Sequence, residues 1–105
     1  MAANLPSSIP ELPLDINWSY EVKTAHKIIA DGYQSAYQTL RQENGDMFQL
    51  RYHAGQISKD FIPILKALED DGVSIAFITS SAEAFGCLMV QLEKAAIGAN
   101  REYVL

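Results

Sequence analysis

The chain has 105 residues, 49% of them hydrophobic and 20% charged, which is enough apolar mass for one globular core and no room for a second. Thirteen acidic against eight basic residues give a net charge of -5, with the Lys and Arg scattered from Lys23 to Arg101, a balance that argues against nucleic acid as a partner. The single cysteine, Cys87, has no companion for a disulfide or a thiolate cluster, no arginine-flanked apolar segment opens the chain, and no apolar run approaches the roughly 20 residues of a membrane span, so a cytoplasmic protein is expected.

Residues 1–16 hold Pro6, Pro10 and Pro13 beside Ser7 and Ser8, and read as an extended arm because proline fixes its own φ and bars the residue before it from helix. Leu5, Ile9, Leu12, Leu14 and Ile16 make this arm more apolar than a linker needs, which predicts that it packs on its own domain or on a neighbouring subunit. Residues 17–105 are expected to form a single α/β domain. Trp18, Tyr20 and Val22 alternate with polar residues in a short strand. Ala25, Ile28, Ile29, Tyr33, Ala36, Tyr37 and Leu40 then recur at helical spacing, with Asn44-Gly45 as the stop. A competing reading makes 33–42 a strand that turns into the next, but alternation there gives no consistent apolar face.

Phe48, Leu50 and Tyr52 alternate in a second expected strand, after which Ser58 caps a helix carrying Phe61, Ile64, Leu65 and Leu68 and ending at Asp71-Gly72. Pro63 lies deeper than a helix start tolerates, so that helix begins late or kinks. Val73 to Ile78 is apolar on both faces, as a strand between helices would be, and Ser80-Ser81-Ala82-Glu83 has the pattern of a capping box. The last helix buries Phe85, Leu88, Leu92 and Ala96 with Cys87 as a small buried side chain, stops at Gly98, and leaves Tyr103-Val104-Leu105 as a terminal strand. The predicted fold is α/β: a mostly parallel sheet of about four strands with three helices and right-handed crossovers.

Ligands of open parallel sheets bind beyond the strand carboxyl ends, which would gather Arg51, His53 and Ser58 with Thr79, Ser80 and Ser81 in one anion-binding or regulatory corner. His53 would titrate there and Arg51 would supply charge; the plainer reading makes Ser80 a helix cap and His53 a surface side chain. His26 and His53 have no companions at ligand spacing, and no glycine-rich nucleotide loop or serine elbow is present, so no metal, cofactor or catalytic set is assigned.

The buried run that ends in Ser80-Ser81 and leads into a helix resembles part of the STAS domains of the anti-sigma-factor-antagonist type, although Thr79 replaces that family's aspartate and Ala82-Glu83-Ala84 its glycine-leucine-glycine. The resemblance implies a phosphoserine switch. The residues themselves predict a small binding or regulatory protein that acts through protein–protein contacts and associates with itself or with another protein. A small enzyme or anion-binding protein using the His53 and Ser80 corner is the alternative.

Overall fold

The computed structural model describes residues 5–42 and 46–104, with side chains up to residue 98. Among these residues there is no strand, and the expected α/β fold with its parallel sheet is replaced by helices throughout. The elements are α1 (Tyr20–Arg41), α2 (Met47–Gln56), a π-helical stretch (Ile57–Phe61), α3 (Ile62–Asp70) and α4 (Ile75–Val104). The expected helix stop at Asn44-Gly45 and the expected strand residue Leu105 lie outside the described residues.

Trp18 to Val22 leads into α1 rather than forming a strand: the Ser19 hydroxyl accepts from the Val22 amide at 3.2 Å and caps the helix. The face of α1 carrying Val22, Ile29, Tyr33 and Ala36 is buried, as the helical spacing requires. Phe48 to Tyr52 also belongs to a helix, which begins where the Asp46 carboxylate accepts from the Phe48 amide at 2.7 Å. Of the alternating residues only Leu50 turns inward, while Phe48 and Tyr52 are exposed.

Helices α2 and α3 form one rod joined by the π-helical stretch. The Ile62 amide there reaches the Ile57 carbonyl one residue further back than an α-helix would place it. Pro63 explains the insertion: it lacks the N–H that a continuous α-helix needs, its ring would press on the Lys59 carbonyl, and the wider turn places it in the first turn of α3. Ser58 therefore sits inside a helical rod and caps nothing. The rod ends at Asp71-Gly72 as expected. Gly72, at φ +94°, donates to Glu69 O and Val73 donates to Leu68 O, both at 3.0 Å, and Val73 and Leu68 are buried together beneath the turn.

Ser74 starts α4, its hydroxyl accepting from the Phe77 amide at 3.3 Å, so the segment read as a buried strand is the first turn of a helix. Ser80 lies within that helix and is not a cap, the helix continues through Gly98, and Tyr103 and Val104 are helical rather than a terminal strand. The STAS likeness depended on a strand delivering the serine pair and goes with that strand. Helix α4 folds back along the α2–α3 rod while α1 packs against both, and at 30 residues it spans about 45 Å of a molecule whose longest dimension is 54 Å.

Phe85 of α4 lies at the centre, its ring 5.3 Å from Tyr33 of α1 in an edge-on arrangement and 5.5 Å from Phe61 of the rod. Gly32 makes this meeting possible, since a Cβ there would lie 2.1 Å from Phe61 Cζ.

The N-terminal arm packs along its own chain. Ile9 is buried, Leu5, Leu12 and Trp18 lie against the core, and three proline carbonyls each accept a hydrogen bond: Pro6 from the Tyr33 hydroxyl, Pro10 from His26 Nε2 at 3.0 Å, and Pro13 from Trp18 Nε1 at 2.9 Å. Tyr33 and His26 are two helical turns apart on one face of α1, so the arm runs antiparallel to that helix. Burial of Tyr33 pushes its phenol up to about 12.

Candidate functional site

The six residues expected in one corner are distributed over three places. Arg51 and Ser58, two turns apart on the rod, share the wall of a groove of about 600 Å³ between α2 and the C-terminal half of α4. Ala54, Gly55, Met89 and Ala96 give it an apolar lining, and Glu93 and Ile97 form the α4 side. No ion pair within 4.0 Å joins Arg51 to Glu93. The groove therefore offers a small-residue floor, one guanidinium, one hydroxyl and one carboxylate, an arrangement suited to an apolar segment with polar ends.

His53 points elsewhere, into the junction of α1 and α2. The Thr39 hydroxyl donates to Ser35 O at 3.0 Å, which leaves its oxygen to accept from His53 Nε2 at 3.1 Å and makes His53 the Nε2–H tautomer. Burial lowers the His53 pKa below the ordinary histidine value.

Thr79 and Ser80 are exposed on α4, whereas Ser81 is fully buried and its Oγ has no hydrogen-bond partner. Position 80 lies about 13 Å along the helix from Met89, the nearest groove residue of α4, and about 20 Å from Glu93. The sheet ends that would have gathered these residues do not exist, and the helix carries each hydroxyl in a different direction.

A further surface was not anticipated. Cys87, expected inside the apolar stripe, is exposed on the outward face of α4, with Val90 45% and Ile97 51% exposed beside it. The stretch Ile75–Gly98 is long and apolar enough by length and composition to cross a membrane; an 18-residue part of it has a mean hydropathy of 1.5, with 33% of that part buried in the molecule. Thr79-Ser80-Ser81 has the look of a strand end followed by a helix cap, which disguises the length of this run in the sequence. A second hollow, of about 630 Å³, lies between the arm and α1, bordered by Leu14, Ile16, Trp18 and Lys23 among others. Among the described residues no cluster of three His, Cys, Asp or Glu is placed to hold a metal ion.

Comparison with family models, curated proteins and solved structures finds no match to this chain.

Proposed function

We propose that the protein is a small self-associating interaction module of the cytoplasm, acting through protein contacts, and that a second copy of the chain covers the outward face of α4. The observation that carries this reading is the surplus of apolar surface on α4. A bundle helix needs one apolar stripe of about 100° to face its core, and α4 supplies that stripe with Phe77, Phe85, Leu88 and Leu92 while Val90, Ile97 and Cys87 lie on the other side. Surplus of this kind is commonly covered by a partner.

A bilayer is the other environment that such a helix suits by composition. Glu83 falls near the middle of the stretch, and a charged residue costs about 2.5–3.5 kcal/mol at the centre of a membrane helix, which favours protein over lipid; Glu93 and Lys94 lie nearer its end. The groove adjoins the same face through Glu93 and Ile97, and Arg51 on its far wall is available to a carboxylate of the arriving chain.

Sedimentation equilibrium tests the reading. The expected mass is twice the 11.6 kDa of the chain, falling to the monomer mass in Val90→Glu with helix content unchanged. A monomer mass for the parent chain at high micromolar concentration would overturn it.

A further inference from the structure

The charges on the outward face of α4 determine how two copies can meet. Ala76, Ser80, Glu83, Cys87, Val90, Lys94 and Ile97 are all exposed and recur at alternating four- and three-residue steps, the spacing of a coiled-coil seam sustained for three heptads. In a parallel pair each seam residue meets its own copy, so Glu83 would face Glu83 and Lys94 would face Lys94. In the antiparallel pair that sets Glu83 against Lys94 of the second copy, Val90 meets Cys87 and Ile97 meets Ser80. From Ser80 to Ile97, each residue of one seam position then opposes a residue of the other, as antiparallel helices require.

We infer that two copies pair isologously through α4, antiparallel, with two symmetry-related Glu83–Lys94 contacts flanking a central layer of Val90 and Cys87. The inference rests on the self-association proposed above and adds its direction and register. A two-fold axis passing between the two Cys87–Val90 contacts makes the patch self-complementary, the condition for a closed dimer. The seam is modest in apolar content, so opposite charges at both ends decide its direction.

Charge reversal tests the pairing, with masses and dissociation constants read by sedimentation for the parent, Glu83→Lys, Lys94→Glu and the double exchange. Each single variant places like charges together twice and should weaken the dimer at least about tenfold, while the double exchange should return it to near the parent value. Glu83 and Lys94 are both exposed in the single chain, and circular dichroism should be the same for all four proteins. If the parent is a dimer that the single variants leave unchanged, or that the double exchange fails to restore, this pairing is wrong while self-association stands. A monomeric parent overturns both. Binding of the parent to phosphatidylcholine vesicles with no dimer in solution overturns both in favour of a membrane.

Discussion

Gly32 and Gly55 are both glycines inside helices, and they predict opposite responses to the same substitution. Alanine ordinarily favours a helix interior over glycine by about 0.5–1 kcal/mol, and Gly55, with nothing within 4 Å of a Cβ, should show that gain when changed to Ala. At Gly32 the new methyl would lie 2.1 Å from Phe61 Cζ, and Phe61 is held against Phe85, so overpacking at about 1–3 kcal/mol outweighs the propensity. Gly32→Ala should therefore lower the melting temperature and Gly55→Ala should raise it; two shifts in the same direction would show that the close approach of α1 and the rod is misplaced. Ser81 offers a second contrast. Its hydroxyl is fully buried without a partner, so Ser81→Ala removes an unsatisfied group in a helix and should stabilise the protein by about 1 kcal/mol in urea titration. A loss of that size would mean the hydroxyl is satisfied by a bound group.

At the scale of elements, the Thr39–His53 contact ties α1 to α2, and the burial of His53 makes the junction sensitive to acid. Because burial holds the folded His53 pKa below its unfolded value of about 6.5, the folded state resists the proton that the unfolded chain accepts. The stability contributed by neutral His53 is fully present above that unfolded value and is lost as pH falls through the lowered folded value. His53→Gln should flatten the dependence of the urea midpoint on pH just below 6.5; an unchanged slope would remove His53 as its source. Helix α1 and the Asp71-Gly72 end of α3 were legible because a 3.6-residue stripe and a glycine stop are strong local signals. The rod was legible in principle, since Leu50, Ala54, Ile57, Phe61, Leu65 and Leu68 keep helical spacing throughout. Two things hid it: Ala54 is too small to stand out as core, and the exposed Phe48 and Tyr52 mimic alternation around Leu50. Pro63 did signal a break, which the rod accommodates by a wider turn without ending.

For the whole molecule, the decisive ambiguity was Val73 to Ile78, because a short run that is apolar on all sides fits a buried strand and a helix start equally well. Reading it as a strand created the sheet, and the sheet created the corner; once the segment is helix, Arg51 and Ser58 stay together on the rod while Thr79, Ser80 and Ser81 fan out around α4. The seven-residue repeat from Ala76 to Ile97 is present in the sequence but is masked by the hydroxyl residues Thr79, Ser80 and Ser81, which resemble a cap. The arm is the converse case: Leu5, Ile9 and Leu12 pack on the same chain as their apolar character indicates, while Leu14 and Ile16 stay exposed. The outward face of α4 remains uncovered, as do Phe48 and Tyr52 on the rod and Leu14 on the arm, and the lone thiol of Cys87 stands in the middle of the α4 face. The most direct measurement is the rate at which excess maleimide modifies Cys87 over a wide range of protein concentration. A second copy seated on α4 predicts that the rate falls as concentration rises through the dimer dissociation constant and recovers in Lys94→Glu; a rate that is the same at every concentration would contradict the account.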